Sequence, residues 1–314
     1  MRLSVCTLIG TVCTLATLSC VTLSPKPSLT STELRVFNLA NRPVNELPYS
    51  LNEGDCGAVA IATVLKWHGQ PAPLGLIQHH IALPALKASF KTEIRIASQN
   101  FGLISHEESG PERRPEDLFP FLASGYPVIV LENLGLTWMP IWHYSTVIAI
   151  DTERGHILLH GSRYGWRKVA LENFQKTWSR SLNWSLLPWP TSKDPPPLPL
   201  NHLMGAIYRM ESSGKLKDAL MAYRTVTRQR PDEAVAWLAR GNAALESGFT
   251  DEAIASFYKV TTLKTWQPMG WNNLALALLK KGKRKSARQI LNKGLDYFPG
   301  HNLMLTTKAE IFPM

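Results

Sequence analysis

Residues 54–69 read GDCGAVAIATVLKWHG, one cysteine between two glycines followed by an apolar run that a further glycine closes. The pattern predicts a helix from Cys56 to His68, with Ala58, Ile61, Val64 and Leu65 on one face and Gly69 as its stop. A thiol in the first turn of a helix meets unpaired N–H groups and the positive end of the dipole, and both favour the thiolate. Gly57 leaves room for a substrate backbone to approach. Cys56 is therefore a candidate nucleophile. Cysteine is also a common small core residue, and the stretch alone leaves both readings open.

The other cysteines narrow the choice. Cys6, Cys13 and Cys20 all lie in an apolar, threonine- and leucine-rich run whose only early charge is Arg2. Its length fits a secretory segment better than a spanning helix. The ending TLSC at Cys20 resembles a lipobox, which implies a lipidated Cys20 and an envelope destination, the outer membrane facing the periplasm. Processing there leaves Cys56 as the one free thiol, which excludes an intrachain disulfide framework. Residues 1–20 are thus read as a signal or lipoprotein segment and 21–45 as a polar tether.

From 46 to 188 the pattern is mixed. Strand-like runs occupy 127–131, 143–150 and 157–159, the last two as a hairpin, with 168–171 and 184–187 extending the sheet. One helix on an antiparallel sheet is an α+β plan. A nucleophilic thiol needs a base, and of nine histidines His143 is best placed, since it opens a strand downstream of the cysteine helix. Residues 189–200, rich in proline, read as a semi-rigid linker.

Beyond the linker the chain repeats with a step of 34. Gly214, Gly248 and Gly282 keep it, as do Ala219, Ala253 and Ala287, and Trp237 and Trp271; Tyr223, Phe257 and Leu291 fill one large apolar position. Residues 201–301 resemble about three tetratricopeptide (TPR) repeats, which implies an all-α stack with a concave face for a peptide or protein partner. Residues 302–314 are read as a tail. The formal net charge is +10, and residues 201–314 carry 17 lysines and arginines against 9 acids. Such faces are commonly just solvated, or meet an anionic membrane or acidic partner. No nucleic-acid motif accompanies the charge, and no cofactor or metal is expected.

GDCGAVAIATVLKWHG and HYSTVIAID together resemble the bacteriocin-processing cysteine peptidases, which trim double-glycine leaders on a papain-like α+β fold. The resemblance covers roughly residues 46–188 and implies Cys56 as nucleophile and His143 as general base. Two departures stand out. Ser50 occupies the position of the family's oxyanion-holding Gln, leaving Asn52 as the nearest amide. The family's orienting Asp lies on the strand after the histidine, where this chain has no acid. Asp151 ends the His143 strand, about 26 Å away along an extended chain, and serves only if that strand bends. His160, Ser162 or a backbone carbonyl are the other candidates. The expectation is an exported, lipid-anchored cysteine peptidase acting on a peptide or protein, the alternative a non-catalytic peptide-binding lipoprotein with a degenerate peptidase fold.

Overall fold

The computed structural model describes residues 44–81, 91–163, 165–263 and 267–312. The expectations for the signal segment, for Cys20 and for most of the tether lie outside these residues. No helix among the described residues is long and apolar enough to cross a membrane.

The predicted helix is present as α1 (Cys56–Trp67), and Gly69 follows it with φ +72°, the left-handed stop that glycine adopts without strain. Its burial differs from the one-faced expectation: Gly57 to Leu65 are buried all round. The reason is its neighbours. Two further helices, α2 (Leu74–Ile81) and α3 (Lys91–Asn100), cover the side of α1 that the sheet does not.

The sheet has six strands, β1 (Leu103–Glu108), β2 (Val128–Asn133), β3 (Trp142–Asp151), β4 (His156–Gly161), β5 (Gly165–Ala170) and β6 (Ser185–Pro190), paired antiparallel in the order β1-β6-β2-β3-β4-β5. A short α4 (Phe119–Ala123) precedes β2, and α5 (Leu171–Ser179) follows β5. Ile129, Leu131, Tyr144 and Leu186 pack with α1, whereas Val128, Val130, Val147 and Leu159 pack with Phe174 and Trp178 of α5. Both faces are therefore covered, which is why β2 is a continuous buried run rather than an alternating one.

The proline-rich boundary is more structured than a spacer. Pro188 and Pro190 lie within β6, beyond the point where its pairing with β2 stops at Leu186. Two residues apart, their missing N–H groups share one strand edge, and an edge without a partner tolerates them. Trp189 and Leu198 are buried, and Arg230 donates to the Leu198 carbonyl at 2.7 Å. The apolar core continues without a break from the α5 face of the sheet through Leu198 into the helical half. The boundary at 46 also moves, because Val44 packs against Trp67, Ile148 and Leu158.

Residues 200–311 form seven helices: α6 (Leu200–Ser212), α7 (Leu216–Gln229), α8 (Ala234–Glu246), α9 (Thr250–Thr262), α10 (Pro268–Lys280), α11 (Arg284–Tyr297) and α12 (Asn302–Ile311). The repeating glycines have one job. Gly214, Gly248 and Gly282 follow the first helix of each pair with φ between +79° and +84°. The repeating alanines and the Tyr223, Phe257 and Leu291 positions are buried between helices. The segment read as a tail is instead helix α12, whose Met304 enters the core. A stacked array exposes its last apolar face unless a further helix covers it.

Candidate active site

Asp55 ends the single turn before α1, and its carboxylate accepts from Ser50 Oγ. Asn52 is used locally: its Oδ1 takes the Gly54 N–H at 3.2 Å and its Nδ2 reaches Asp55 at 3.5 Å. As it stands, the amide braces the loop. Ser50, in the place of the family's Gln, braces the same loop through Asp55 and the Asn52 N–H.

Cys56 is partly buried, with its sulfur facing the backbone N–H groups of Tyr144, Gly57 and Cys56 itself. The Tyr144 N–H belongs to the peptide unit that begins at His143. A sulfur in contact with that N–H lies roughly 6 Å from the His143 Cα. The fold thus brings the Cys56 sulfur to the backbone at the start of the strand that carries His143, 87 positions downstream.

Strand alternation then sorts the side chains. Tyr144 and Thr146 face α1, the latter donating to the Ala60 carbonyl at 3.4 Å. His143 and Ser145 take the other side. There the His143 ring lies against Gly161: a Cβ on that glycine would stand 3.1 Å from His143 Nε2. Gly161 is thus one neighbour of the ring on this side.

The candidates for an orienting group fall elsewhere. Asp151 is at the far end of the ten-residue β3, where it accepts from Arg154 N and Nη1 at 3.0 Å, so the expectation that it could orient the imidazole is corrected. His160 is on the α1 side, with Nδ1 at 3.1 Å from Thr63 Oγ1. Ser162 is fully buried.

Sequence reasoning missed a buried polar cluster on the His143 side. Glu132, directly opposite His143 in the ladder, is 1% exposed. Its carboxylate accepts from Arg167, from Ser145 Oγ at 2.8 Å and from Thr177 Oγ1 at 2.9 Å. The signal was an acid at the end of the apolar run PVIVLEN, one strand from the histidine.

The electrostatics depart from the sequence argument. Burial pushes the Cys56 thiol above its ordinary value, and this outweighs the three N–H groups that favour the thiolate. Burial, followed by the nearby Arg167 guanidinium, lowers His143 to about 4. At neutral pH the resting pair is a thiol and a neutral imidazole, not an ion pair. Alkylation of Cys56 by iodoacetamide, followed by peptide-resolved mass spectrometry, is therefore expected to be still accelerating at pH 9. A rate already level at neutral pH would contradict this.

Comparison with known proteins places these features in a family. Residues 47–193 match the Peptidase C39 family, and residues 211–265 and 270–301 match the tetratricopeptide repeat. The chain thus carries a C39 peptidase domain followed by C-terminal TPR repeats. Among solved structures, a double glycine motif protease from an AMS/PCAT transporter, in complex with the leader peptide, is 18% identical. The match covers 46% of this chain and 90% of that one, with a TM-score of 0.37. The peptidase domain of Streptococcus ComA, a bifunctional ABC transporter in a quorum-sensing pathway, is 17% identical over 45% of this chain and 95% of its own, TM-score 0.37. For the helical half, YrrB, a TPR protein with an unusual peptide-binding site, is 22% identical over 34% of this chain and 56% of its own, TM-score 0.32.

Proposed function

We propose that this chain, a C39 peptidase domain joined to TPR repeats, is a cysteine peptidase that cleaves a peptide or protein with Cys56 as nucleophile and His143 as general base. The observation that carries the reading is the Cys56 sulfur at the start of α1 against the N–H of the peptide unit that begins at His143. Because both groups are neutral at rest, the thiol proton passes to the imidazole as sulfur attacks the carbonyl. The tetrahedral oxyanion is held by the Cys56 N–H, joined by the Asn52 amide if it leaves Asp55. Collapse expels the amine, which takes the proton back from His143, and water then hydrolyses the thioester. The helical repeats hold the substrate or a protein partner on their concave face. Acylation of Cys20 anchors the chain to a bacterial envelope membrane, the outer one, facing the periplasm.

The test is hydrolysis of a mixed peptide library, double-glycine leader peptides included, read by mass spectrometry. The expected result is cleavage after a restricted set of sequences, abolished in Cys56→Ala and slowed about 100- to 10,000-fold in His143→Ala. A second reading, a peptide-binding protein without turnover, is favoured by Asp151, the acid of the His143 strand, standing at that strand's far end and paired with Arg154. Under it the library is retained uncut, and His143→Ala alkylates at Cys56 as fast as the native chain.

A further inference from the structure

The connection between β2 and β3 is a rigid apolar hairpin. Residues 134–142, LGLTWMPIW, contain no ionisable side chain. Leu134 N donates to Ile141 O at 2.8 Å, and Leu136 and Met139 exchange N–H···O bonds at 3.1 and 3.2 Å, with Thr137 and Trp138 at the tip. The base is clamped by the buried Asn133, whose Oδ1 accepts from Gly135 N and Ile141 N, both at 2.9 Å. A side chain at Gly135 would overlap the Met139 carbonyl, so the backbone packs this closely only with glycine there.

This hairpin holds apolar groups out into water. Trp138 is 78% exposed, and Leu136, Met139, Ile141 and Trp142 are between 50% and 56% exposed. Five such neighbours on one short element exceed the scattered apolar residues an ordinary surface carries. Their arrangement says what covers them. Leu136 and Met139 are paired across the ribbon and share a face, Ile141 and Trp142 are consecutive residues where the chain enters β3, so that they do not share one face, and Trp138 crowns the tip. A peptide strand or a flat protein surface covers one face of a ribbon and leaves the others wet. A surrounding apolar phase covers them all.

The charges at the base fit the same occupant. Arg180, exposed at the end of α5, donates to the Asn133 carbonyl at 3.0 Å and the Gly135 carbonyl at 2.6 Å. Lys176, also exposed, lies one helical turn earlier. An uncharged tip rich in tryptophan above a cationic base matches the layering of a bilayer interface, apolar chains beneath anionic headgroups. We propose that the 134–142 hairpin is a wedge that inserts into an anionic lipid surface, with Trp138 and Met139 among the acyl chains and Arg180 and Lys176 at the phosphates. The strand that carries His143 begins at Trp142, so insertion seats the Cys56 corner at the membrane surface. This inference does not depend on catalysis or on acylation of Cys20.

The test uses the full chain with vesicles of phosphatidylcholine and phosphatidylglycerol brominated on the acyl chains. Tryptophan quenching by these lipids is expected in the native chain and reduced in Trp138→Phe, which removes the fluorophore at the tip, keeps the tip apolar and leaves Trp142 at the base. Trp138→Asp with Met139→Asp is expected to weaken vesicle partitioning about tenfold or more at unchanged circular dichroism. Adding salt is expected to weaken the native binding. Quenching that is unchanged in Trp138→Phe overturns the proposal, because the tip of the hairpin is then not among the acyl chains. Lipid-free self-association that disappears in the double aspartate variant also overturns it, the occupant then being a second copy of the chain.

Discussion

Glu132→Ala is expected to destabilise the peptidase domain by roughly 3–5 kcal/mol, measured by urea unfolding, because it breaks a buried ion pair by removing one partner. The carboxylate is 1% exposed and receives Arg167, Ser145 and Thr177 together. Without it the Arg167 guanidinium, with only 20% of its side chain exposed, loses this ion pair, and two hydroxyls lose an acceptor. A second consequence is local. Arg167 already helps to depress His143; without the Glu132 carboxylate, it is expected to lower that histidine further, read from its imidazole NMR titration. Arg167→Met in the same background is expected to recover part of the stability, since an apolar side chain in a buried site needs no counter-charge. A loss below about 1 kcal/mol in the single variant would mean that water reaches Glu132.

Gly241→Ala is expected to cost about 1–3 kcal/mol in the helical half through overpacking. A Cβ at Gly241 of α8 would stand 2.4 Å from Cε1 and 2.6 Å from Cδ1 of Phe257, and that ring is fully buried. Gly241→Ala with Phe257→Leu is expected to recover part of the loss, since the smaller side chain vacates the contact. Urea unfolding of both variants and of the native chain checks the pair. Equal stability of the single variant and the native chain would show that the two helices can move apart.

The two elements just discussed differ in how well the sequence announces them. The 34-residue step exposes the helical repeats because each pair must bury the same face against the next, so the same residue types recur at Gly214, Gly248 and Gly282. Gly241 keeps no such step: Ile207 and Ala275 stand one period to either side, and only the size of Phe257 demands glycine there. Helix α1 was legible from its apolar run and closing glycine. Strand β1 was not, because its segment LISHEE has too few apolar residues to alternate, and its pairing with β6 is supplied from 77 to 87 residues away. The α12 helix escaped notice because a capping helix repeats only part of the pattern.

At the candidate site, residue type and position alone point to the candidates: Cys56 at a helix start and His143 at a strand start, in an order and setting that resemble one peptidase family. Their surroundings came with the packing of the fold. It put the thiol against the Tyr144 N–H, Gly161 beneath the imidazole and Asp151 at the far end of the strand. It also reversed the sign expected for the thiol, because a helix terminus stabilises a thiolate only as far as burial leaves that charge solvated, and at Cys56 the loss of water is the larger effect. Desolvation depends on everything packed around an atom, and no stretch of sequence carries that information.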